Sequence, residues 1–217
     1  MQLYFCREAR KAFFVVSYKY LFKELIHLQP ANTTTMFANL FGKKEDDSKD
    51  HVFKDRAYMS TIVKMKACTD LAKTDEGIVF IAWFSDTVTQ FRNYFVDNGI
   101  SETRVIEARL LHSPQLISHK PVFLEHYPMH SKEEEFVKNW EHKNIPVYSA
   151  MDEPLFKHFG SEKIIPMMKM MGMKENEVIE HNMVSKSIIK GQQKIEEQVS
   201  LELSASSQGE WMERNLK

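Results

Sequence analysis

Ile78-Val79-Phe80-Ile81-Ala82-Trp83-Phe84 is a continuous apolar run of strand length. A strand apolar on both faces needs cover on both faces, which is the situation of a central strand in a parallel α/β sheet. The flanking text supplies helices to provide that cover. Upstream, Val52, Phe53, Ala57, Ile62, Val63 and Leu71 recur at helical spacing with charged residues between them as far as Lys73, predicting one amphipathic helix stopped by Glu76-Gly77. Downstream, Ser85 is placed as the N-cap of a helix from Asp86 to Asp97, with Asn98-Gly99 as its stop. Phe91 and Phe95, four apart, would face the sheet. The result is a strand-turn-helix unit, the building block of a doubly wound fold.

More strands follow. Arg104 to Leu110 and Pro121 to His126 read as strands, and Tyr127-Pro128-Met129-His130 as a turn at the carboxyl end of the second. Ser131-Lys132-Glu133-Glu134 has the form of a capping box, opening a helix that carries Phe136, Val137 and Trp140 inward. Val147 to Met151 is the last strand, after Asn144-Ile145-Pro146. This order predicts an α/β fold, a parallel or mostly parallel sheet with helices on both faces, followed by C-terminal helices. Past Asp152 the chain reads as helical to near Glu202, interrupted at Gly172 and around Lys174 to Asn176. A small, polar stretch, Ser204 to Gly209, then leads to Trp211 and Leu216, an apolar pair that needs something to dock on, either this chain or a partner.

With 217 residues the chain is long enough for one domain and an appendage. From Lys43 to Asp50 nearly every residue is charged, the mark of a solvated linker, so residues 1–50 are expected to be an N-terminal extension and linker, 51–172 the α/β domain, and 173–217 a helical extension. Phe13 to Val16 and Leu21-Phe22 form an apolar run near Arg7, Arg10 and Lys11, but Lys19, Lys23 and Glu24 interrupt it and no small-residue cleavage site follows. It is too short and too charged to span a membrane. Met36 to Lys44 itself reads as an amphipathic N-terminus, making Met36 a candidate start alongside a genuine N-terminal helix. Two cysteines without zinc-ligand spacing and a net charge of −1 predict reduced thiols, a cytoplasmic setting, no nucleic-acid partner and at most peripheral membrane association.

Motifs for chemistry are sparse. The sequence contains no GxxxxGK[ST] phosphate loop, no GxGxxG and no GxSxG. His126 and His130 are four apart, but Pro128 between them prevents a helical metal pair, so no metal site is expected. Glu133-Glu134-Glu135 is the acidic first turn that the helix dipole favours. Lys186, Lys190 and Lys194 read as a solvated helix face.

The most specific text is Tyr148-Ser149-Ala150-Met151-Asp152-Glu153-Pro154-Leu155-Phe156-Lys157-His158-Phe159-Gly160-Ser161-Glu162-Lys163, then Met168 to Met173, Glu180 to Ile188 and Gln192 to Glu196. In order and spacing it resembles the end of the second nucleotide-binding domain of SecA, the ATPase motor of bacterial preprotein export. That resemblance implies a RecA-like, helicase C-terminal-like domain and a link to protein transport. The motor family carries an arginine-rich signature just before this strand, whose arginines reach the triphosphate held by the first nucleotide-binding domain. Here no arginine occurs from Leu110 to Glu213, and the planar, permanently charged fork has no close substitute.

The expectation is therefore a catalytically degenerate, stand-alone version with no catalytic residue and no cofactor, acting as a binding or regulatory module. Its partner would be a protein, translocase subunits or a client polypeptide, met through Phe156, Phe159, Met167, Met170 and Met171. An alternative is half of an ATPase whose ATP site is completed by a separate phosphate-loop subunit, with Lys132 and Lys138 as phosphate contacts. A remnant without independent function is the third expectation.

Overall fold

In the computed structural model, residues 52–111, 118–170 and 172–216 are described. The expectations for residues 1–50 and for Met171 lie outside them. Five strands form one parallel sheet: β1 Phe53–Tyr58, β2 Ile78–Ala82, β3 Val105–Glu107, β4 Lys120–Phe123 and β5 Ile145–Ala150. Their order across the sheet is β1-β5-β4-β2-β3, and every pairing is parallel. Around it lie α1 Thr61–Thr74, α2 Ser85–Asp97, α3 His130–Val137, α4 Pro154–His158, α5 Ser161–Met170, α6 Asn182–Glu196 and α7 Gln208–Asn215. The arrangement is RecA-like, as the sequence predicts.

The first five residues of the apolar run from Ile78 form β2, buried at all five positions between β4 and β3. Alternation splits its side chains between two cores. Phe80 joins Met65, Phe91, Phe95 and Tyr148 beneath α1 and α2, while Val79 and Ile81 join Phe123, Val137 and Val147 beneath α3. Each fully buried ring of this kind contributes about 1.5–3 kcal/mol relative to exposure. Helices thus cover both faces, which explains why β2 has no polar side.

Some boundaries differ from the sequence reading. Residues 53–58 are not the first turns of a helix but the edge strand β1, and α1 starts only after Ser60, whose hydroxyl caps Val63 N–H. Pairing along the whole of β5 decides this, from Phe53↔Ile145 to Tyr58↔Ala150. The strand expected from Arg104 to Leu110 shrinks to three residues between two 3₁₀ turns, because Arg104 turns back to bind the carbonyls of Ala72, Asp75 and Ile78. Those bonds close the end of α1, where unpaired carbonyls otherwise remain.

Likewise, α2 begins at Ser85 itself without a side-chain cap, and Gly99 at φ 74° ends its connection as expected. The Ser131 capping box does not form. Helix α3 starts at His130, two residues before the start that box implies, and Ser131 N–H is bonded by Glu196 instead. Among the described residues, no helix is long and apolar enough to cross a membrane.

Candidate functional site

All five strands point the same way, so their carboxyl ends share one edge of the sheet. Ligands of open α/β sheets bind outside that edge. Here the edge is built from the residues after β2 (83–86), β4 (124–127) and β5 (151–155), and it holds an unusual density of buried charge.

The first cluster centres on Lys64 of α1. Its ammonium is buried, donates to the Leu124 carbonyl at 2.6 Å and to the Glu153 carboxylate, and lies 5.2 Å from the centre of the Phe91 ring. Glu125 stands beside it. One Glu125 oxygen accepts the backbone N–H groups of Trp83 and Phe84 at 3.1 Å each, and the other accepts the Thr87 hydroxyl at 2.7 Å. Burial pushes Glu125 up to about 7 despite the opposing charge of Lys64. Glu153 is raised as well, by burial first, and its second oxygen is buried without a hydrogen-bond partner. Burial alone would lower Lys64, but the Glu153 and Glu125 carboxylates outweigh it and the ammonium is held charged.

The second cluster centres on His126, the next residue. Its Nε2 is 2.8 Å from Asp55 of β1, and its Nδ1 is 3.0 Å from Glu133 of α3. Ionised carboxylates only accept hydrogen bonds, so both ring nitrogens donate and the group is an imidazolium. Burial works against that charge, but Glu133 and Asp55 prevail and raise His126 to about 10. Glu133 also accepts Tyr127 N–H at 2.7 Å and the Gln192 amide at 2.9 Å. Burial would raise it, yet the His126 charge and hydrogen bonds bring it down to about 2. With both nitrogens engaged, His126 offers no lone pair to a substrate proton or a metal. Among the described residues, no group of three or more His, Cys, Asp or Glu side chains is placed to hold a metal ion.

Over these clusters lies the chain's own segment 199–216. Gln208 donates to the His126 carbonyl at 2.9 Å and accepts Leu155 N–H at 2.8 Å. Ser206 accepts Asp86 N–H at the start of α2. Trp211 is 0% exposed; its ring meets Tyr127 edge-on at 5.9 Å and its indole N–H donates to Glu202, which also takes the Tyr127 hydroxyl. Tyr127 in turn stacks on Phe84. The segment therefore touches the ends of β2, β4 and β5 at once, and Trp211 docks on its own chain.

The residues singled out from sequence scatter differently. Lys132 sits in the first turn of α3, 3.5 Å from Glu202 of the covering segment, whereas Lys138 is exposed at the opposite end of that helix. Six residues separate them by roughly 9 Å along the helix axis. Phe156 is buried and belongs to the core, which removes it from any surface. Phe159 is half-buried with its ring against Gly191, and Met167 is half-buried. Met170 is 87% exposed. Glu133, read from sequence as part of an acidic first turn favoured by the helix dipole, is buried, because His126 draws it inward. Lys64, Glu125, Glu153 and Asp55 were not anticipated. Glu125, Glu153 and Asp55 carry one signal, position, as polar residues just past the ends of apolar strands or at the buried parity of β1, whereas Lys64 lies within α1 and has none.

No protein-family model matches the chain. Over 50 residues it is 48% identical to protein translocase subunit SecA of Christiangramia forsetii, covering 23% of this chain and 4% of that protein. It is 43% identical over 51 residues to SecA 1 of Chlorobium chlorochromatii, 24% of this chain and 5% of the relative, and 47% identical over 49 residues to SecA of Acidithiobacillus ferrooxidans, 23% and 5%. The chain thus contains a SecA-related segment, and the likeness spans only 4–5% of the length of these relatives.

Proposed function

We propose that this chain is a SecA-related domain that has given up nucleotide chemistry and serves as a binding or regulatory module for a protein partner, translocase subunits or a client polypeptide. One observation carries this reading: the carboxyl edge of the sheet, where a nucleotide would approach, is filled by the chain's own segment 199–216 above six buried ionisable side chains. Four of the six are acidic, an environment that repels a triphosphate. The stretch before β5 also lacks arginine to meet one.

The test is direct. Titration calorimetry of the full chain with magnesium and ATP or ADP is expected to give no binding heat, and native co-purification followed by quantitative mass spectrometry is expected to enrich a defined protein partner. ATP turnover abolished by a change in the chain's own residues would overturn the proposal. The alternative, a nucleotide site completed by a second subunit, asks Lys132 and Lys138 to act together. Their placement at opposite ends of α3, with Lys132 facing Glu202, favours the binding module.

A further inference from the structure

The covering segment is gripped by atoms that belong to the buried charge clusters. Leu155, whose N–H binds Gln208, is two residues beyond Glu153, and Pro154 packs 3.6 Å from the Cβ position of Gly209. The carbonyl that binds the other end of the Gln208 amide is that of His126, adjacent to Glu125. Whatever moves Glu153 or the 125–126 backbone therefore moves the grip.

Charge counting shows what such a movement would answer to. Facing Glu153 and Glu125 are Lys64 and Cys68 from α1, Thr87 from α2 and His126 from the end of β4, itself flanked by Asp55 of β1 and Glu133 of α3. Lys64 and His126 are cations, while Asp55, Glu133, Glu125 and Glu153 are acids, so full ionisation leaves two uncompensated negative charges in a region closed to water. Asp55 and Glu133 are consumed by His126. Lys64 remains for both Glu125 and Glu153. Glu125 has three donors aimed at its carboxylate, whereas one oxygen of Glu153 is buried and has none. An oxygen with no donor is where a proton stays.

We propose that Lys64, Glu125 and Glu153 form a one-proton latch that holds segment 199–216 on the edge of the sheet and releases it when the proton leaves. In the latched state one ammonium faces one carboxylate and one carboxylic acid. On release the Glu153 O–H bond breaks, its proton passes to solvent base, and two buried carboxylates oppose one ammonium. The turn 151–155 then shifts toward water and loses the Leu155–Gln208 bond. Burial holds both carboxyl groups above their ordinary range, so the shared proton leaves as pH rises. Release uncovers the carboxyl edge of the sheet for the protein partner of the proposed function, and the latch rests on that reading for its purpose.

Hydrogen–deuterium exchange of the full chain between pH 5.5 and 8.5, corrected for intrinsic exchange, tests it without a partner. Protection of the amides in 208–215 is expected to fall at least tenfold with rising pH while those of β4 stay protected. Glu153→Gln, which mimics the neutral acid, is expected to hold 208–215 protected at both ends of the range, and Glu125→Gln to flatten the dependence should the first variant not fold. Equal loss in β4 and 208–215, or the same loss in the Gln variants as in the native chain, would overturn the latch. A missing partner would overturn only the proposed function.

Discussion

His126 carries a charge in a place where none would be expected, and it does so because two carboxylates meet it from separate elements, β1 and α3. Removing one partner of such a buried group leaves the others uncompensated, at a cost of about 3–5 kcal/mol. His126→Ala is therefore expected to lower unfolding free energy by that amount in urea titration, more than Lys132→Ala, whose exposed pair with Glu202 is worth about 0–1 kcal/mol. The same groups set a pH profile. Glu133, held at about 2, contributes stability that is present above its ordinary 4.5 and lost as pH falls through 2. Glu125, raised from 4.5 to about 7, binds more protons folded than unfolded across that window, so stability declines as pH rises through it. His126 contributes stability that is complete below 6.5 and lost as pH rises through about 10. Stability should thus peak at mildly acidic pH, and His126→Gln should flatten both limbs, the alkaline one because the imidazolium is gone and the acid one because its charge is what holds Glu133 down. These residues were nearly invisible in the sequence. Glu133 hides among Glu134 and Glu135, and Asp55 between Phe53 and Ala57 reads as a polar break although it points the same way as both. Burial of a charge is decided by its partners in space, and those partners lie 7 and 71 residues from His126.

Elements whose evidence was local were legible. β2 was readable because its composition requires two covered faces, α2 because its stop and its Phe91–Phe95 stripe lie within it, and β5 because an apolar stretch ends at an acidic turn. β1 was misread because Phe53 and Ala57, four apart, satisfy the helical period as well as the strand period, and only pairing with β5 separates the two. The contact between the end of α4 and α6 adds a constraint of its own. At Gly191 in α6, an added Cβ would fall 2.3 Å from the Phe159 ring, so two elements touch through the missing side chain. Gly191→Ala is expected to destabilise by about 1–3 kcal/mol despite the better helix propensity of alanine. Combining it with Phe159→Leu should recover part of the loss, and a double-mutant cycle by chemical denaturation measures that coupling. If the two changes add independently, the contact does not limit α6.

For the molecule as a whole, the covering segment makes the carboxyl edge part of the interior. Trp211→Ala is expected to cost about 3–5 kcal/mol, as for a large ring removed from a core. Ending the chain before 199 should expose Trp83, Phe84 and Tyr127 and increase binding of a hydrophobic dye. The strand order has another consequence, for the time course of folding. β1 touches the sheet through β5 alone, and Phe53 and its partner Ile145 are 92 positions apart (145 − 53). β2, β3 and β4 find one another within a much shorter stretch of chain. Because closing the longer loop is entropically dearer, β1 should be the last strand to dock. During synthesis it must wait, with Phe53 and Tyr58 uncovered, until residue 150 has left the ribosome. Pulse-labelled exchange during refolding should find Phe80 and Val122 amides protected before those of Lys54 and Arg56, which alternate onto β5, and the interval between them is the period in which an unfinished chain has most need of a chaperone.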